Sequence, residues 1–211
     1  MDFVLETKLG NKGFADSTQS ESVSYEATAG ALDILNFYDM YECDCWLGEH
    51  DKWWGETHVY VNTTQVASSL KKSADSAIDD KNIIRLYQLL NALQVLNESV
   101  PTATKKKISN TLENLRYFDG GYDIKSNQST PNMASTFYAV NILTFINDPN
   151  FSRSLHLGWV RNCSNSDGGF GGNKGLKSSL ANTYYAVALI DDLGDLDEDH
   201  ENASQTIDYL K

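Results

Sequence analysis

The sequence predicts an all-α repeat protein built from helix pairs. Three observations carry that prediction. Glycine is sparse, 14 residues in 211, yet Asp167-Gly168-Gly169-Phe170-Gly171-Gly172 concentrates it around one phenylalanine. An upstream near-copy, Asp119-Gly120-Gly121-Tyr122, shares its downstream context: Thr136-Phe137-Tyr138-Ala139-Val140 echoes Thr183-Tyr184-Tyr185-Ala186-Val187. The segments between the glycines alternate between one apolar stripe and apolarity on nearly every face, a pattern of period 3.6.

The elements follow in order. Gly13-Phe14 precedes Thr28, Ala31, Ile34 and Leu35 with the spacing that links Gly121-Tyr122 to Thr136, Ala139, Ile142 and Leu143, so a third, weaker copy opens the chain. Residues 40–80 fit the repeat less well and are expected to be an irregular segment. Residues 102–118 set Ile108, Leu112 and Leu115 on one stripe. Residues 133–146 are apolar all round, with Thr130-Pro131 expected as N-cap and first turn. Leu155, Trp159 and Cys163 mark the next striped helix, residues 180–190 the next apolar one, and Ala203, Ile207 and Leu210 the start of another. No stretch alternates as a strand does. Each Asp-Gly-Gly sits where a striped helix must stop and the chain reverse, which favours a glycine at positive φ. Residues 1–211 are thus expected to form a single repeat domain.

Composition narrows the function classes. The net charge of −12 opposes a nucleic-acid backbone partner and an anionic membrane surface. No apolar run approaches the roughly 18 residues of a membrane span. The opening residues lack a basic, then apolar, leader, and Cys43, Cys45 and Cys163 make an odd, sparse set. A reducing, cytoplasmic setting is expected. The sequons at Asn62, Asn97, Asn127, Asn150, Asn162 and Asn202 are then a by-product of Asn/Ser-rich composition.

Taken together, Asn165-Ser166-Asp167-Gly168-Gly169-Phe170-Gly171-Gly172 and Thr183-Tyr184-Tyr185-Ala186-Val187-Ala188-Leu189-Ile190 resemble the repeat of protein prenyltransferase β subunits and squalene-type terpene cyclases. The resemblance covers 13–38, 119–147 and 167–192, and the tail at 206–211 looks like the opening helix of another repeat. It implies an α/α toroid of inner and outer helices around an isoprenoid cavity. With about four helix pairs, the toroid is expected to be incomplete. The resemblance also implies a diphosphate at the glycine-loop end, where helix N-termini attract anions. Lys174 and Lys177 are the ligand candidates there, beside Lys125, and Tyr138 and Tyr185 those for the apolar wall.

The prenyltransferases hold a catalytic zinc through an Asp and a Cys just before an inner helix. Here those places fall on Ser179 and Ala181, Asn132 and Ala134, or Ser24 and Glu26, so the family zinc site is expected to be absent. Cys43, Cys45, His50 and His58 could form a Cys₂His₂ zinc site, although their setting, with Trp46, Trp53 and Trp54, reads better as packed aromatic loop. Asp195-Leu196-Asp197-Glu198 is an imperfect match to the cyclases' acidic motif. Asp191-Asp192-Leu193-Gly194-Asp195 is a literal DDxxD, but Gly194 marks it as a solvated helix end. Three functions stand open: an isoprenoid-binding, prenyltransferase-like protein acting with a second copy or a helical partner; a non-catalytic interaction scaffold; or a piece of a longer cyclase or transferase.

Overall fold

A computed structural model describes residues 6, 8–9, 14–37, 41–42, 59–60, 63–124, 130–194 and 205–209. Its helices are α1 (Tyr25–Phe37), α2 (Thr63–Asp79), α3 (Ile83–Val95), α4 (Thr102–Glu113), α5 (Met133–Ile146), α6 (Arg153–Arg161) and α7 (Leu180–Asp192), and 205–209 is also helical. Apart from isolated bridges, extended pairing among the described residues is confined to β1 (Tyr41–Glu42) and β2 (Val59–Tyr60), a parallel pair in register Tyr41↔Val59. The all-α expectation holds. The chain divides into two compact units, Met1–Asp80 with Arg85–Pro101, and Lys81–Ile84 with Thr102–Lys211, where the sequence reading treats 1–211 as one domain.

In the first unit, residues 63–79 correct the expectation of an irregular 40–80. They form α2 because Val66, Ala67, Leu70, Ala74, Ala77 and Ile78 make one buried stripe. In α3, Leu86, Leu89, Leu90, Ala92 and Leu93 are buried, a wider apolar surface. The striped-then-apolar alternation therefore also runs through α2 and α3. The connection between them carries no glycine, and Lys81 itself takes the left-handed conformation at φ 53°.

In the second unit, α4 buries Thr104, Ile108 and Leu112, and α5 buries nine residues spread around its circumference. Helix α5 packs against α4 and α7, and α6 packs against α7. The N-cap of α5 is Asn132, whose Oδ1 accepts from the Ser135 N–H at 2.9 Å. This corrects the Thr130-Pro131 expectation. Asparagine is a strong N-cap, and Pro131 lies one residue outside it. Helix α5 ends at Asn147 in the left-handed region (φ 52°), and Gly194 ends α7 the same way (φ 68°). Arg153, at the start of α6, donates to the carbonyls of Leu193 and Gly194 and so satisfies the end of α7.

Candidate functional site

One hydrogen-bonded unit recurs three times. The aromatic after the glycines donates its N–H to the threonine of the following helix: Phe14 to Thr28 Oγ1 at 2.9 Å, Tyr122 to Thr136 at 3.0 Å, and Phe170 to Thr183 at 3.0 Å. Its carbonyl accepts from the residue that caps that helix: Ser24 N–H at 2.9 Å, Asn132 at 2.9 Å and Ser179 at 3.2 Å. Each cap then accepts from the first turn, Ser24 from Ala27, Asn132 from Ser135 and Ser179 from Asn182. Both backbone groups of a buried aromatic are thereby paired, as burial requires. The repeated threonine is a backbone acceptor rather than a surface residue.

The glycine pairs have a second role beyond the turn. Gly120 and Gly168 do sit at positive φ, 99° and 83°. Their partners Gly121 and Gly169 are crowded by residues further along the chain, including the second helix after each turn. A Cβ on Gly121 would come within 2.4 Å of Trp159, and one on Gly169 within 2.6 Å of Ser178 and 2.9 Å of Tyr209. The carbonyls of the same turns are also taken by that helix. Gly120 O pairs with His156 Nδ1 at 2.9 Å, and Gly168 O accepts from Thr206 Oγ1 at 2.8 Å. Each turn is thus a socket for the second helix after it, and the tail at 205–209 fills the second one.

His156 is a residue that the sequence reading missed. It is 1% exposed, stacks on Phe151 with ring centroids 5.3 Å apart, and faces an acceptor-only carbonyl, so Nδ1 carries the proton. Burial pushes its pKa below the ordinary 6.5. Burial likewise pushes the Cys163 thiol up to about 12, which makes it an inert packing residue.

Tyr138 and Tyr185 come together. Their hydroxyls lie 3.2 Å apart and their rings 5.8 Å apart, and Phe137 lies against both. Neighbouring apolar helices thus set an aromatic cluster between them, with Tyr184 at its exposed edge. Lys174 and Lys177 are exposed on the loop from Gly171 to Ser178, which an antiparallel bridge between its ends closes. That loop reaches the start of α5, because Gly172 O accepts from the Met133 N–H at 2.8 Å. Beside the start of α5 lies a small cleft, open to solvent at its mouth. Its lining is Ile83, Ile84, Ile124, Asn132, Ala134, Ser135 and Tyr138.

A model of the prenyltransferase alpha-alpha toroid domain matches residues 55–211. The chain belongs to that family. No curated protein matches it. The copy built on Phe14 and Thr28 precedes the matched region and has the same hydrogen bonds.

Asn132, Ala134, Ser179 and Ala181 do not fit a zinc ion. The side-chain oxygens of Asn132 and Ser179 are committed to capping their helices, and Ala134 and Ala181 have no donor atom. Zinc takes thiolate, imidazole or carboxylate ligands. Cys43, Cys45, His50 and His58 lie outside the described residues, as do Lys125, the three neighbouring tryptophans and Asp195-Leu196-Asp197-Glu198. Asp191 and Asp192 occupy the exposed last turn of α7. Partial desolvation at that turn raises the Asp192 pKa, which a hydrogen bond from Asn141 only partly offsets.

Proposed function

We propose that this toroid domain binds an isoprenoid chain as its prenyl diphosphate, with the tail against the aromatic cluster of α5 and α7. The observation that carries the reading is the Tyr138–Tyr185 pair: equivalent positions of consecutive apolar helices put two rings edge to face, with Phe137 behind them. Such surfaces hold branched unsaturated chains through area burial and soft contacts with ring faces. Lys174 and Lys177 stand on the loop that reaches the start of α5 and can offset a diphosphate. A local basic group is needed because the chain as a whole is strongly acidic. The proposed binding uses no zinc at Asn132, Ala134, Ser179 or Ala181, which offer no zinc ligand set. Any prenyl transfer takes its catalytic groups from a second copy or a helical partner.

Calorimetry with farnesyl and geranylgeranyl diphosphate tests this. Binding is expected, and an absence of heat with both would overturn it. A second reading, an interaction scaffold, is favoured by Leu176, Leu180 and Tyr184, which follow one another at spacing i, i+4, i+8 and are 56%, 65% and 65% exposed. Concentration-dependent sedimentation, abolished by Leu180→Glu with no ligand heat, would favour the scaffold.

A further inference from the structure

The cleft at the start of α5 combines an apolar lining with a stranded polar group. Three isoleucines, Ile83, Ile84 and Ile124, line it with Ala134, and among the described residues no charged side chain does. Ser135 lines it too. That residue is 2% exposed, and its hydroxyl has no hydrogen-bond partner. A buried hydroxyl without a partner is destabilising, and a ligand that pairs it removes that penalty. A single staggered rotation about χ1 re-aims the hydroxyl without moving the helix. Neighbouring polar atoms do not compete for it: Asn132 Oδ1 is already taken by the Ser135 N–H, and Tyr138 Oη pairs with Tyr185.

We infer that this cleft is a second binding subsite, for a small uncharged molecule with a branched aliphatic body and one oxygen that accepts from the Ser135 hydroxyl. The inference deepens the isoprenoid reading by naming what sits at the head of α5, next to the chain site. Charged groups are excluded, because a wall of isoleucine and alanine would leave an ion unpaired. The size of the cleft limits the occupant to a short alcohol, ketone or ester, or to the end of a longer chain carrying such a group.

The probe is prenol, a short branched alcohol, against its hydrocarbon counterpart lacking the hydroxyl. Ligand-observed and protein-observed NMR titrations use the full chain, with Ser135→Ala and Ala134→Leu as variants. Prenol is expected to shift resonances of Ala134, Ser135 and Tyr138. Ser135→Ala should weaken prenol about fivefold, the equivalent of one ordinary hydrogen bond, and leave the hydrocarbon unchanged. Ser135→Ala should also melt no lower than the parent, since it removes an unpaired hydroxyl, so a folding defect cannot mimic the loss. Ala134→Leu should fill the cleft and abolish both titrations. Prenol that fails to bind, or that binds Ser135→Ala as tightly as the parent, overturns the inference. Farnesyl diphosphate calorimetry separates the two proposals. Diphosphate heat without prenol binding sinks the subsite alone, and prenol binding without diphosphate heat sinks the chain site alone.

Discussion

The indole of Trp159 lies directly over Gly121, so close that a methyl group there would sit 2.4 Å from Nε1. Gly121 has no positive φ to protect, so the contact alone dictates its identity. Gly121→Ala should cost about 3 kcal/mol or more, at the upper end of overpacking. Trp159→Leu should cost several kcal/mol by itself, yet in that background Gly121→Ala should cost at least about 1 kcal/mol less. Relief stays partial because Pro131 also crowds the site. Urea denaturation of the four proteins measures the coupling, and strict additivity would refute the packing account.

Thr136 and Thr183 give a second prediction. Each accepts the N–H of a buried aromatic, so Thr→Val, which keeps shape, strands that N–H. The expected loss is about 1–3 kcal/mol per site. Thr→Ser should recover most of it, since serine keeps the acceptor. Equal stability of the Val and Ser variants would show that the hydroxyl carries no weight.

The pH dependence follows from His156. Its folded-state pKa is lowered from 6.5 because burial penalises the charged ring. The unfolded chain therefore binds the proton more readily. Stability is full above 6.5, and it is lost as pH falls from there to the lower folded value. His156→Asn, which keeps a donor for the Gly120 carbonyl, should flatten this loss. Denaturation midpoints between about pH 7.5 and pH 5 test it. A parent protein with no drop across that window would exclude His156 as a source.

Cysteine chemistry supplies a fourth expectation. With its thiol pushed up to about 12 and its side chain buried, Cys163 should resist alkylation in the folded protein at neutral pH. Peptide mapping after a short iodoacetamide pulse should find Cys163 labelled only in denaturant.

The fifth concerns charge at the proposed ligand end. Replacing Lys174 and Lys177 together by alanine should weaken farnesyl diphosphate by about 1–3 kcal/mol and leave farnesol nearly unchanged. Both lysines are exposed, so folding should not suffer. Equal loss for diphosphate and alcohol would move the headgroup elsewhere.

Much of this was legible locally. Apolarity on all faces predicts α5 and α7, and Gly120 and Gly168 announce their own positive φ. Matched spacing located the Phe14 copy and brought Tyr138 and Tyr185 into equivalent places. Their direct hydroxyl contact depends on how α5 meets α7, which no spacing reports. The pair α2 and α3 carries no glycine signature in the sequence, because there Lys81 makes the turn. The meaning of Gly121 and Gly169 was half hidden for a related reason. At Gly121 the closest excluding atoms belong to Trp159, far along the chain, and at Gly169 those of Ser178 are joined by Tyr209. His156 sits between Leu155 and Leu157 in an ordinary helical stripe, and only its carbonyl partner sets it apart.

Because each glycine turn is completed by the second helix after it, order in this molecule must arrive late during synthesis. The turn at Gly120 can emerge from the ribosome with its bend formed, but its carbonyl waits in water until His156 has been made. Gly168 waits likewise for Thr206. A ribosome paused between a turn and the second helix after it would leave the preceding apolar helix half dressed, open to chaperones and proteases. Slow codons just before 153–161 or 205–209 would therefore do more harm than the same codons within those helices.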